Sequence, residues 1–303
     1  MATTTTDPRT KKIIAAARAK AADVAKERAK ALRKRERALA ALPVEEGVED
    51  EAVSRGQLVA EGDSWFDYPG IDILRVLEDD FGFDVESVAH SGDRVEMMAW
   101  GRDQLTKFSA AIEKLIRNGK RPRAILLSGG GNDIAGKEFG FLLNHAGSTE
   151  AGLNESIVRG VIDERARDAY VHIIAAVTAL CEEKLGARVP VLVHGYGYAV
   201  PDGRGFLGGW WLLPGPWLEP GFIEKGFNKM SERQPLMNKL INRFNDMVKG
   251  VAALPEFSHV KYVDLRPVLS PPTAVGYKQF WDNELHPTAK GFRAVARKFV
   301  DAL

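Results

Sequence analysis

From residue 57 to the C-terminus, short apolar runs alternate with stretches in which apolar residues recur every three or four positions. Apolar runs bounded by turn residues suit buried strands, and the three-to-four spacing suits helices with one buried face. The pattern predicts strands over residues 57–64, 84–89, 124–127, 189–194 and 260–263, and helices over 71–80, 95–118, 162–185, 233–253 and from Pro287 to the end. Such alternation predicts an α/β fold, a parallel sheet covered on both faces. Residues 145–154, polar and glycine-containing, read as a loop. Residues 196–227 fit neither period: they carry Phe206, Trp210, Trp211, Trp217, Phe222 and Phe227 among glycines and prolines. A loop of this length is usually functional or disordered, and its aromatic density argues against disorder.

Upstream of residue 57 the pattern changes. Residues 11–42 are rich in Ala, Lys, Arg and Glu, with Pro8 before and Pro43 after, and predict one long helix. Its apolar positions are mostly alanine, which offers little area to bury, so the expectation is a solvated helical arm. The chain divides into this arm (1–44), an acidic linker (45–56) and a main domain (57–303) that carries the aromatic insertion.

Charge sharpens that division. Residues 1–42 hold 12 basic and 4 acidic side chains, whereas the remaining 261 residues hold 30 basic and 37 acidic ones. A basic arm precedes an acidic body, and the whole is nearly neutral. The arm's basic charge permits oligomerisation or other protein contact, a nucleic-acid contact or an anionic-membrane contact; bulk charge names no partner, and no nucleic-acid partner is expected. The single cysteine, Cys181, has no intrachain partner and reads as a buried small hydrophobe. Residues 13–17 are apolar but are followed by Arg18 and Lys20, unlike a signal peptide, and no later run approaches the roughly 18 uncharged residues of a membrane span. The expected location is the cytoplasm.

The loops at the strand ends carry the chemistry. Ser64 follows the first strand, Gly92 the second and Asn132 the third, and His286 precedes the last helix. Ligands of open α/β sheets bind at strand C-termini. A serine ester hydrolase needs a nucleophile, a base and donors aimed at the oxyanion. Ser64, His286 and a trio of donors, namely the N–H groups of Ser64 and Gly92 and the side-chain amide of Asn132, meet that need. Taken singly, Gly62-Asp63-Ser64 also suits a turn or helix cap, and His286 suits the start of a helix. Trp65, Trp210, Trp211 and Trp217 are candidates for an apolar substrate wall or lid. The histidines show no ligand spacing, so no metal is expected, and nothing calls for a cofactor. Gly203-Arg204-Gly205-Phe206-Leu207-Gly208 matches a dinucleotide fingerprint by letter but lacks its strand–helix context.

Gly62-Asp63-Ser64, Gly92, Gly130-Gly131-Asn132-Asp133 and Asn283-Glu284-Leu285-His286-Pro287, in that order, resemble the four signature blocks of the SGNH (GDSL-type) hydrolase family. The resemblance spans residues 57–303. It implies a three-layer α/β/α sandwich with a flavodoxin-like five-stranded parallel sheet, Ser64 as nucleophile, His286 as base, and Gly92 and Asn132 in the oxyanion hole. The family usually has aspartate three residues before the histidine; Asn283 stands there, with Asp282 one position earlier. The imidazole's orienting partner is therefore Asp282, Asn283 or a backbone carbonyl, and the difference matters because aspartate-to-asparagine changes in serine triads can cost about 10⁴ in rate. The expected activity is cleavage of a small-molecule or lipid-like carboxylic ester through an acyl-enzyme on Ser64. Carbohydrate deacetylation, thioester hydrolysis and acyl transfer lie within the family's range. The alternative is a non-catalytic binding protein that engages an acidic partner or membrane through the arm.

Overall fold

The computed structural model describes residues 6–19, 22, 26, 54–101, 103–208, 213–269 and 276–303. Five parallel strands form the central sheet: β1 (Gln57–Glu61), β2 (Asp84–Ser87), β3 (Pro122–Leu127), β4 (Val191–His194) and β5 (Val260–Val263), in the order β2-β1-β3-β4-β5. Leu58, Val59 and Ala60 of β1, Ile125, Leu126 and Leu127 of β3, and Val191, Leu192 and Val193 of β4 are all buried. Such continuous apolar strands are what a sheet covered on both faces requires. The strand order reverses between β1 and β3, so the loops that leave these two strands diverge and open a crevice at their C-terminal ends. Ser64 lies in the first of these connections, and Asn132 in a short helical turn, Gly131–Ile134, of the second.

Helices cover both faces: α1 (residues 8–19), α2 (Ile73–Asp79), α3 (Val95–Trp100), α4 (Gln104–Arg117), α5 (Arg167–Leu185), α6 (Met230–Ala252) and α7 (Ala289–Ala302). Asp72 caps α2 by accepting from the Arg75 N–H at 2.9 Å, and Thr288 caps α7 by accepting from the Gly291 N–H at 3.2 Å. The single helix expected over 95–118 is two. α3 stops at Gly101, whose ψ of 158° leaves the helical region. The helix expected from residue 162 begins earlier, at Glu155, where the Asn154 side chain accepts from the Ile157 N–H at 3.1 Å. It runs through a π-helical stretch, Arg159–Ala166, before α5, and that wider turn breaks the 3.6-residue period. The segment expected as a loop at 145–154 contains one strand of a two-residue antiparallel ribbon, Gly152–Leu153, paired with Leu143–Asn144.

The N-terminal helix corrects the expectation of a solvated arm over its described part. Ile14 and Ala17 are buried, and Arg9 contacts Asp168 at 2.5 Å while Arg18 lies 3.4 Å from Glu182, both on or beside α5. Thr6 donates to the Glu256 carboxylate at 2.6 Å. The buried face is small, Ile14 and Ala17, and ion pairs flank it. The remainder of the expected helix, the acidic linker to residue 53, Trp210 and Trp211 lie outside the described residues. Among the described residues, no helix is long and apolar enough to cross a membrane.

Candidate active site

Ser64 sits in a tight turn that closes β1. The Phe66 and Asp67 N–H groups donate to the Asp63 carbonyl at 2.9 and 3.1 Å, turning the chain immediately around the serine. Gly62 is required there by space: a Cβ would lie 2.8 Å from both Phe66 and Ser128 side-chain atoms. The Asp63 carboxylate, buried, accepts from the Trp65 N–H at 3.1 Å, from the Ser128 hydroxyl at 2.8 Å and from the Tyr196 hydroxyl. Tyr196 in turn accepts from the Gly131 N–H at 3.0 Å. One carboxylate thus fixes the Ser64 turn against the loop that carries Asn132. Sequence reading treats Asp63 as a turn residue and misses this role, since its partners are 65 to 133 positions away.

His286 lies before α7, and its Nε2 is 2.7 Å from Ser64 Oγ. Its Nδ1 is 3.0 Å from the Asn283 side-chain oxygen. That oxygen also accepts from the backbone N–H groups of Leu285, at 3.0 Å, and His286, at 2.9 Å. Because backbone N–H groups only donate, the atom facing them is the amide oxygen, and the Nδ1 that meets it must carry the ring proton. Nε2 is then the lone-pair nitrogen, free to accept from the serine hydroxyl. Burial pushes the His286 pKa down to about 3, so the imidazole is neutral at ordinary pH.

Of the candidates for the imidazole's partner, Asn283 contacts the ring and Asp282 does not. The exposed Asp282 carboxylate instead accepts from Tyr68 at 2.9 Å and from the Asn283 amide at 3.2 Å. Tyr68 also accepts from the Asn283 amide at 2.9 Å and stacks on the imidazole with a 4.4 Å centroid separation and a 25° interplanar angle. Tyr68 carries no sequence signal, standing in an ordinary Asp-Tyr-Pro turn.

The loops that carry the expected oxyanion donors are tied to one another by hydrogen bonds. The β2–α3 loop is tied to the serine turn through the His90 N–H on the Gly62 carbonyl, 2.9 Å, and the Ser91 N–H on Asp67, 2.8 Å. Gly92 turns this loop with φ +93°, a conformation that favours glycine. Asn132 donates one amide proton to the Asp93 carbonyl at 3.0 Å, which leaves the second for a ligand. Asp133, half-buried, caps α3 by accepting from the Val95 N–H at 2.8 Å; desolvation raises its pKa to about 6.

The described part of the insertion borders this site. Trp217 meets the His286 ring edge-on at 5.6 Å. Trp65 is buried, donates its indole N–H to the Leu285 carbonyl at 3.1 Å and lines the same cavity as Ser64, so it supports the histidine loop as well as the wall. Glu284, another residue without a sequence signal, is fully buried and accepts four backbone N–H groups of the insertion: Gly203 at 3.1 Å, Trp217 at 2.6 Å, Leu218 at 2.8 Å and Glu219 at 3.0 Å. Arg204 returns the tie by donating to the Trp281 and Asp282 carbonyls, each at 2.8 Å. Among the described residues, no group of three or more His, Cys, Asp or Glu is arranged to hold a metal ion.

The fold is a parallel sheet flanked by helices, an α/β architecture with the Ser64–His286 pair in the loops at its strand ends. Residues 59–294 match the GDSL-like lipase/acylhydrolase family, and the chain belongs to it. Among solved structures, it is similar to a protein assigned as a GDSL-like lipase from Parabacteroides merdae, at 14% identity and TM-score 0.46, over 82% of this chain and 95% of that one. It is also similar to an acetyl-xylooligosaccharide esterase from Geobacillus Stearmophilus, at 15% identity and TM-score 0.43, over 82% and 94% of the two chains. No protein of curated function matches the chain by sequence.

Proposed function

We propose that the protein is a serine ester hydrolase that cleaves a carboxylic ester through an acyl-enzyme on Ser64. The observation that carries this reading is the 2.7 Å contact between Ser64 Oγ and His286 Nε2, with the ring tautomer set by Asn283. Ser64 attacks the ester carbonyl as His286 takes its proton; the same proton then goes to the departing alcohol. The negative charge formed on the carbonyl oxygen faces the Ser64 and Gly92 N–H groups and the remaining Asn132 amide proton. Water, deprotonated by His286, releases the acid and restores the serine. Asn283 stabilises the transient imidazolium through an amide dipole in place of a carboxylate.

A fluorophosphonate probe tests the reading. Wild type is expected to be labelled and Ser64→Ala is not; an unlabelled wild type that hydrolyses no p-nitrophenyl ester would sink it and favour a binding role for the scaffold.

A further inference from the structure

Beside Ser64 and His286 a cavity of about 40 Å³ runs beneath the insertion. Beyond the reacting groups its walls include Ala199, Leu218, Met237, Ile241 and Trp281, each at most 5% exposed. At 10–15 Å³ per water, the cavity holds about three waters, the space of an acyl chain of roughly two to four carbons. The far wall cannot retreat cheaply. Gln234 ties α6 to the Ala199 carbonyl at 3.0 Å, Arg233 ties it to the Pro201 carbonyl at 3.0 Å, and Glu284 holds the Leu218 N–H. The polar lining residues Asp63, Ser64, Asn132, Tyr196 and His286 belong to the site already described, and apart from the Trp281 indole N–H the rest of the lining is apolar, which suits an alkyl chain and rejects a charged one.

We propose that this cavity is the acyl site, that it restricts the enzyme to esters of short alkyl acids, and that Met237 and Ile241 of α6 set the chain length. The inference rests on Ser64 being the acylated residue. Each methylene that a pocket accepts or refuses changes kcat/KM by roughly 10–200-fold. For the full-length protein, kcat/KM on p-nitrophenyl acetate and butyrate is therefore expected to exceed that on octanoate by at least about 100-fold. Met237→Ala, and the milder Ile241→Val should the first fold poorly, are expected to raise the octanoate-to-acetate ratio by about tenfold or more. Octanoate turned over as fast as acetate by wild type, or a ratio unmoved in a folded variant, overturns the pocket assignment while fluorophosphonate labelling of Ser64 leaves the hydrolase reading intact. Absence of both labelling and turnover overturns the two together.

Discussion

Asn283 holds Nδ1 of His286 at 3.0 Å where a carboxylate would ordinarily stand. Without an adjacent negative charge, burial alone governs the ring and lowers its pKa to about 3. A base with a lowered pKa stays deprotonated as pH falls, so kcat/KM is expected to show no histidine limb between pH 8 and 5. Asn283→Asp places a charge on Nδ1 and raises the pKa, moving an acidic limb up toward the ordinary histidine value near 6.5. A pH–rate profile of the two proteins checks this; coincident profiles would exclude the assigned contact.

Asp282 is exposed, so its charge is screened, and it reaches the imidazole only through the Asn283 amide and Tyr68. Asp282→Ala is expected to lower kcat by about tenfold or less, against about 10²–10⁴ for Asn283→Ala. Steady-state kinetics ranks the two, and the reverse ranking would make the carboxylate the orienting group.

Tyr68→Phe keeps the ring stacked on His286 and removes the hydroxyl that joins Asp282 to Asn283. The expected loss in kcat is about 3–30-fold, in line with roughly 0.5–2 kcal/mol for a partly buried hydrogen bond. Tyr68→Ala also removes the stack and is expected to lose more. Equal effects of the two variants would leave the hydroxyl without a role.

Glu61, at the end of β1, is buried and accepts from the Gly62 N–H at 2.9 Å. Desolvation raises its pKa from 4.5 to about 8. The stability this preference for the neutral acid confers is fully present below pH 4.5 and is lost as pH rises through about 8. Glu61→Gln removes the titration, so the variant is expected to outlast wild type at pH 9 by roughly 2–5 kcal/mol and to match it near pH 5. Urea unfolding at the two pH values measures the difference.

Glu284→Gln replaces an acceptor of four N–H groups with a side chain that has one acceptor and one donor face. At least one buried N–H loses its partner, an expected cost of about 1–3 kcal/mol. Limited proteolysis is expected to cut the variant within 196–227 faster than wild type, together with a fall in kcat as Trp217 leaves His286.

All five strands and the candidate side chains were legible because each signal is local. An apolar run bounded by turn residues marks a strand; Ser64 and Asn132 follow two such runs closely, and His286 stands just before the last helix. The break at Gly101 was legible in principle, since a glycine interrupts the helical pattern there. The start of the 155–185 helix was not, because its π-helical turn falls outside any 3.6-residue template. Tyr68 and Glu284 were invisible for another reason: their partners lie some 65 to 215 positions away in sequence, and only the closed fold brings them together.

Glu284 stands between Asn283 and His286, so the five-residue stretch that presents His286 to Ser64 is also the clasp of residues 203 and 217–219. The two cannot be varied separately: a longer or shorter insertion that pulls on residues 217–219 pulls equally on the imidazole. New substrate preferences are accordingly open to this scaffold through side chains such as Met237 and Ile241, whose exchange leaves the clasp shut, and are closed to it through the rim that Glu284 grips.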